Sequence, residues 1–517
     1  MAQGPDVCSM CVTRQTAWPG CDNIHRMHRF FAVLLVLVVA VAITPACLRA
    51  APDPVVLALA QILPGEPLKP SRTAENWTDV REFYRLRAGA PAWVTDSPTS
   101  KATDAIHVLQ AAREHGLDPA AYQPEEIAQA IQALEQGDKD APDRARQLAD
   151  LDARITAALL TLGRDVAVGR RTPPVAGWKA RRAVPALATA LNTAAGDVTG
   201  WLSAVQPVHP EYEALRQALI DLYGRQQEGT AWPVPSSAAD IRVFQEHHAI
   251  KPTGRLDAAT RAAMAVPLED RIHQVVVNLE RWRWMPDDLG SRHLLVNIPY
   301  YHLMARENGA IVKDIRVVVG KPGNETPIFS DEMETVVFSP YWNIPDTIVE
   351  GETAPAQVKD PRYLTRNNIE ILRVSESGVE PVDPSKVDWD DADALKQLAF
   401  RQRPGPGNAL GHVKFLFPNE HSVYLHDTPA DALFARTGRA FSHGCVRVEE
   451  PEALAQYLLR DDSTWDLAKI RAAMNSGVEK HVKLSTALPV HIVYFTAWVD
   501  DKKGLHFQPD VYGYDKK

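Results

Sequence analysis

HDTPADALFARTGRAFSHGCVRV, residues 426–448, sets one histidine nineteen positions before a cysteine and a second histidine two positions before it, with a glycine in between. Cys445 stands alone in the body of the chain, because the other four cysteines, at 8, 11, 21 and 47, crowd the N-terminus. A thiol is a nucleophile only as thiolate, so it needs an imidazole or a positive charge beside it. His443 would lie alongside the thiol if residues 441–445 were extended. Gly444 argues instead for a sharp turn, in which backbone N–H groups approach a reacting oxygen. His426 ends the apolar run SVYLHD, residues 422–427, and a return through residues 428–440 would bring its ring to the same spot at little extra loop entropy. Taken singly, each residue has a plainer reading. Cys445 reads as a buried structural thiol, His426 as a strand-end histidine bonded to a turn carbonyl, and Ser442, Asp427 and Arg447 as polar caps of turns. A zinc site on His426, His443 and Cys445 lacks a fourth ligand and any Cys-x-x-Cys pair, so no metal is expected.

The N-terminus explains the isolation of this thiol. Arg26, His28 and Arg29 precede an unbroken apolar run from Phe30 to Ile43, followed by Thr44-Pro45-Ala46-Cys47. This is the outline of a secretory signal peptide, cut after Ala46 or near Ala50, with lipid modification of Cys47 as a weaker alternative. Met27 is a more usual start than Met1. The apolar run is short for an uncleaved span of about 20 residues. Removal of residues 1–50 would leave Cys445 as the sole cysteine of an exported protein, which excludes an internal disulfide framework. A free thiol in an oxidising compartment is a liability unless it is buried or used. Across all 517 residues, a net charge of −9 and a pI near 6.0, with no run of Lys or Arg, give no footprint for a polyanion, so nucleic acid is excluded as a partner. The length calls for several domains.

From about Thr73 to Arg170 the apolar period is helical, with Leu148, Leu151, Ile155, Leu159, Leu162 and Val166 on one stripe. HGLDP, residues 115–119, reads as a helix stop with Gly116 left-handed. Two Pro-rich stretches, RRTPPVAGW at 170–178 and WPVPSS at 232–237, punctuate the chain. Residues 238–264 read as helix, turn, helix. Ile241, Phe244 and His248 share a face, Pro252 to Gly254 turn, and Asp257 caps the second helix. With its Phe-Gln pair, late histidine, glycine and later threonine, this fragment resembles the last half of the small three-helix peptidoglycan-binding module. A plain helical hairpin is the alternative.

Beyond residue 293 the period changes. HLLVNIP, IRVVVG, ETVVFSPYW, HVKFLF and SVYLHD are rich in β-branched and aromatic residues between Gly, Pro and Asn, and read as strands. Residues 350–405 interrupt them with acidic, Pro-punctuated and partly helical sequence, as an inserted lid would. The end of the chain, VHIVYFTAWVDDKKGLHF, reads as a hairpin turning at Asp500 to Gly504.

The 426–448 stretch resembles the signature of the L,D-transpeptidases, the YkuD-domain enzymes of the bacterial cell wall: a histidine, a gap, then Ser-His-Gly-Cys. VVVGKPGNETPIFS at 317–330, PYWNIP at 340–345 and RQRPGPGNALGHVKFLFPN at 401–419 are similar to the large multidomain branch of that family. The resemblance implies a multidomain α + β chain. Its parts would be a targeting segment over 1–50, a helical scaffold domain over 51–205, the binding module over 206–270, a mostly β catalytic domain over 271–475 with its lid, and a C-terminal hairpin over 476–517. It implies Cys445 as nucleophile and His426 as base, with the Asp427 carbonyl orienting the imidazole and an oxyanion site of N–H groups near Gly444 and Cys445. His443 and Ser442 would support the turn, and Trp342, Tyr424 and Arg447 would meet substrate. Arg447 departs from the asparagine common at its position. The implied reaction attacks the third residue of a peptidoglycan stem tetrapeptide, expels D-alanine, and passes the thioester to a neighbouring stem as a 3→3 cross-link. No cofactor is expected, because the thioester itself conserves the acyl bond. Peptidoglycan, and other cell-wall synthesis proteins, are the expected partners in the periplasm. Water in place of the acceptor amine would make the enzyme an L,D-carboxypeptidase, a protein acceptor or donor would make it a lipoprotein-anchoring enzyme, and an inert site would leave a wall-binding scaffold.

Overall fold

A 25-residue helix, Arg144–Val168, organises the N-terminal half in the computed structural model, which describes residues 52–68, 74–171, 173, 185–194, 196–230, 235–376 and 378–516. The leader expected over 1–50 lies outside the described residues, as do most of the first Pro-rich stretch and residues 232–234 of the second. The stripe Leu148, Leu151, Ile155, Leu159, Leu162 and Val166 is buried along this helix, against Trp77, Phe83, Tyr84, Leu109 and Tyr122 of the surrounding helices. Its one fully buried carboxylate, Asp152, accepts the Tyr84 hydroxyl at 2.6 Å and the backbone N–H groups of Ala92, Trp93 and Val94, so the charge enters the core with its lone pairs satisfied. Gly116 ends its short helix at φ 69°, the left-handed position.

The binding-module fragment folds as helix Ala238–His247, a turn, and helix Ala258–Met264. A Ser237–Asp240 capping box starts the first helix, and Asp257 accepts from Thr260 N at the second. Gln245 explains why this motif needs its glycine and threonine. Fully buried, it donates to Thr260 Oγ1 at 2.8 Å and Arg255 O at 2.9 Å and accepts from Gly254 N at 2.9 Å, so one amide staples the turn to both helices.

Helices Pro210–Glu228 and Leu268–Arg283 pack together and join the module to the C-terminal half through Tyr212, Leu219, Leu279, Trp282, Phe495 and Phe507. Arg283 sits in this junction, 1% exposed. It pairs with Glu280 Oε2 at 2.7 Å and donates to Tyr212 Oη and His115 O. Glu280 Oε1 accepts Arg170 N and Arg171 N, both at 2.6 Å, so a single buried ion pair ties the scaffold's long helix to the junction.

The catalytic half is a nine-stranded sheet. It comprises β1 (Arg292–Asn297), β2 (His302–Glu307), β3 (Ala310–Gly320) and β4 (Phe329–Phe338). A separate four-stranded sheet follows as β5 (Trp342–Asn343), β6 (Ile369–Ser375), β7 (Gly378–Pro381) and β8 (Ala399–Gln402). The main sheet resumes with β9 (Val413–Leu416), β10 (Leu425–His426), β11 (Ala440–Ser442), β12 (Val446–Val448) and β13 (Lys480–Val493). Its order is β11-β3-β12-β10-β9-β4-β13-β1-β2, and β2 pairs back onto β3, which closes the sheet into a barrel. β14 (Ala497–Val499) and β15 (Leu505–Phe507) form the terminal hairpin around the turn Asp500 to Gly504.

One expectation is corrected. The catalytic sheet does not end at residue 475, because β13 lies between β4 and β1 and pairs with both. The first half of β13 is polar and mostly exposed, so its periodicity is weak and only its partners reveal it. The insertion over 350–405 is partly helical as expected, and in addition β6, β7 and β8 give it a sheet, and Ile344, Val349, Leu364, Ile371, Leu395 and Phe400 give it a core of its own.

Glu280→Ala should strand Arg283 without its countercharge and leave two N–H groups unsatisfied. Chemical denaturation should register a loss of about 3–5 kcal/mol, the cost typical of a broken buried pair.

Candidate active site

The site is built by two very short strands. β10 and β12 run parallel, with Leu425 opposite Val446 and His426 opposite Arg447. Paired residues of neighbouring strands share a face, and alternate residues of one strand do too. Leu425, Val446 and Val448 therefore enter the barrel core, where they are fully buried. Tyr424, His426, Cys445 and Arg447 come together on the opposite face.

His426 is 4% exposed, and its Nδ1 lies 2.5 Å from the Asp427 carbonyl oxygen. A carbonyl only accepts, so Nδ1 carries the proton and Nε2 keeps its lone pair. Burial, opposed by this bond and reinforced by the Arg447 charge, holds the imidazole down to about 3. The Asp427 carboxylate points elsewhere: it accepts His412 N and Thr428 N, each at 2.7 Å, and fastens the end of β10 to the turn before β9.

Cys445 is a free, half-buried thiol, with Sγ 4.0 Å from Ser422 O. Burial pushes it above its ordinary value, while the Tyr424 backbone and hydroxyl and the Arg447 guanidinium pull against that. Both groups are pushed toward their neutral forms, because a buried thiolate and a buried imidazolium each lose more hydration than their neighbours return.

The turn before the thiol is held from three sides. Gly444 has φ +115°, a region closed to most side chains. Ser442 Oγ donates to Cys445 O at 2.6 Å and accepts Gly444 N at 3.2 Å. Thr326 Oγ1 donates to Gly444 O at 2.7 Å and accepts Gly320 N at 2.8 Å. The expected pair of oxyanion donors is reduced by this: Gly444 N–H is taken by Ser442, whereas Cys445 N–H has no acceptor among the described residues.

The remaining candidates are scattered around this centre. Tyr424 places its ring centroid 5.7 Å from that of His426. Arg447 has no acidic partner among the described residues, and its Nε is buried without an acceptor. His443 reaches outward to the insertion, its Nε2 lying 2.9 Å from Glu352 Oε1. Trp342 begins the insertion's sheet and is half-buried against the insertion's core. Sequence reasoning missed Thr326, Gly320, Tyr512 and Glu352. Thr326 and Gly320 lie within the quoted 317–330 stretch, and a β-carbon on Gly320 would fall 2.1 Å from Asn324 O. Tyr512, which donates to Gly320 O at 2.7 Å, comes from the far end of the chain and carries no local signal.

A neutral resting thiol has a measurable consequence. Alkylation of Cys445 by iodoacetamide should accelerate about tenfold per pH unit from pH 6 to 9, since thiolate is the reacting form and its population rises toward the elevated pKa. In Arg447→Ala the profile should move to higher pH; a preformed thiolate–imidazolium pair would instead give a flat rate over that range.

Three stretches of the chain match known domain families. Residues 291–479 match the model of the YkuD L,D-transpeptidase catalytic domain, residues 78–219 a scaffold domain, and residues 208–264 a domain described as "putative peptidoglycan binding domain". A Haemophilus influenzae protein named "Putative L,D-transpeptidase" is 34% identical over 244 residues, 47% of this chain and 48% of its own length. The chain thus matches about half of that relative. Among solved structures, an L,D-transpeptidase from Mycobacterium smegmatis is 12% identical over 39% of this chain and 58% of its own, with a TM-score of 0.19. The Mycobacterium tuberculosis L,D-transpeptidase 1 is 12% identical over 39% and 61%, with a TM-score of 0.16. Superpositions that poor carry no argument. The cysteine turn and its histidine strand both lie inside 291–479, the segment that matches the L,D-transpeptidase catalytic domain, and the segments matching the scaffold domain and the "putative peptidoglycan binding domain" precede it in the same chain.

Proposed function

We propose that this chain cross-links peptidoglycan stems 3→3, with Cys445 as nucleophile and His426 as base. The observation that carries the reading is the shared face of Tyr424, His426, Cys445 and Arg447, with the His426 ring locked so that its lone pair lies on Nε2. Sγ attacks the carbonyl of the third, diamino-acid residue of a donor tetrapeptide as its proton passes to Nε2. The same proton then goes to the departing amine of D-alanine, and a thioester remains. The amine of an acceptor stem attacks the thioester, gives a proton to Nε2, and the thiol is restored. Because the resting pair is neutral, charge develops only during attack. Cys445 N–H then serves the oxyanion, a contribution of roughly 3 kcal/mol for one such donor, and the Arg447 guanidinium serves the donor's carboxylate. The insertion keeps water from the thioester. Export through residues 1–50 places the enzyme in the periplasm with its substrate.

Incubated with tetrapeptide-rich sacculi, the protein should yield cross-linked muropeptide dimers detectable by mass. These should vanish in Cys445→Ala and fall about 10²–10⁴-fold in His426→Ala. Shortened monomers alone would instead mark a carboxypeptidase, and sedimentation with sacculi without new species a scaffold.

A carbapenem should add its mass covalently to the intact protein and not to Cys445→Ala. An unmodified wild-type protein would overturn the assignment of the nucleophile.

A further inference from the structure

His247, Asp500 and His506 meet where the peptidoglycan-binding module touches the terminal hairpin, and they bring one ligand atom each to within 4.8 Å of one another. His247 is the last residue of helix Ala238–His247, while Asp500 and His506 flank the turn between β14 and β15. The sequence reading weighed only the histidines around Cys445 as ligands, because 259 residues separate His247 from His506.

The details suit a ligand set better than a hydrogen-bond network. Asp500 Oδ1 is held by Lys502 N at 2.9 Å and Gly504 N at 2.8 Å, which aims Oδ2 at His506 Nε2, 2.9 Å away. The His506 ring is fixed by parallel stacking on Trp498, centroids 5.1 Å apart at 6°. The half-buried His247 ring lies 4.2 Å from it, centroid to centroid. Of the four ring nitrogens in this pair, only His506 Nε2 has a hydrogen-bond partner among the described residues, and His506 Nδ1 is buried without one. Gly504 makes room for the second ring: a β-carbon there would lie 2.7 Å from His247 Nε2. In the metal-free form the Asp500 carboxylate accepts from His506 Nε2–H; a cation would take the place of that proton, which moves to Nδ1, and the two imidazoles and the carboxylate would then offer lone pairs to one place.

We propose that His247, Asp500 and His506 bind a zinc-class divalent cation that clips the peptidoglycan-binding module to the terminal hairpin. Two imidazoles and one carboxylate favour zinc, nickel or copper over calcium or magnesium, which prefer all-oxygen sets. Zinc–ligand bonds of about 2.0–2.2 Å bring tetrahedral ligand atoms to about 3.3 Å from one another. The three ligand atoms, now within 4.8 Å of one another, would draw together around the cation, leaving the fourth position to water. The clip would act on module orientation, because β14 follows directly on β13, a central strand of the catalytic barrel.

The test is zinc binding by the purified chain in competition with a chromophoric chelator. It is run in a Cys445→Ala background so that the metal cannot take the thiol. One equivalent should bind, and His247→Gln should weaken it at least about tenfold. Gly504→Ala should do the same although all three ligands remain, because its methyl group displaces the His247 ring. Zinc should raise the unfolding midpoint of the parent and not of either variant, as binding to the folded state alone requires. Equal affinity in parent and variants, or no zinc bound at about 100 µM with an unchanged midpoint, would overturn the proposal.

Discussion

Two residues of parallel pairing, Leu425 with Val446 and His426 with Arg447, set the geometry on which the whole site depends. Side chains at equal register on parallel strands share a face, so this pairing alone decides that the imidazole, the thiol and the guanidinium are neighbours and that Leu425, Val446 and Val448 point into the barrel. A slip of one residue would exchange the two sets, burying the thiol among aliphatic groups and exposing the core. Such short strands cannot hold their register by themselves. They are held by β9 on one side and β3 on the other, and by the apolar residues behind them, Val317 and Phe415 among the most buried.

Around that pairing the structure spends its hydrogen bonds on orientation. The Asp427 carbonyl selects the imidazole tautomer, Ser442 and Thr326 clamp the Gly444 turn, and Tyr512 returns from the C-terminus to brace Gly320. None of these bonds ionises the nucleophile. Burial favours the neutral thiol and the neutral imidazole. Arg447, half-buried, has no acidic partner among the described residues, and its Nε is buried without an acceptor. The His443–Glu352 contact joins the same turn to the insertion.

The N-terminal half connects to this site through buried polar residues as well as apolar surface. Glu280 and Arg283 gather Arg170, Arg171, His115 and Tyr212 into one cluster, and Gln245 performs the equivalent task inside the binding module. Unlike aliphatic packing, such groups tolerate few arrangements, because each lost bond leaves a buried polar atom unsatisfied. They restrict how the domains can be joined.

Much of this was legible in the residues because it depends on local periodicity and local chemistry. The stripe from Leu148 to Val166 announced the central helix, Gly116 its neighbour's left-handed stop, Gly444 the turn, and the strand-like runs from His293 to Asp427 most of the barrel. What the residues alone could not carry were relations between distant segments. The half-polar β13 becomes a central strand only by lying between β4 and β1, Thr326 and Tyr512 matter only through the turn they brace, and His247 meets His506 only after the hairpin folds onto the module. Protonation belongs with these. The sequence by itself determined which titratable groups stand near Cys445 along the chain, whereas only the tertiary structure decided that the Cys445 thiol and the His426 imidazole are pushed toward their neutral forms, because desolvation depends on everything packed around a group and not on its neighbours in sequence.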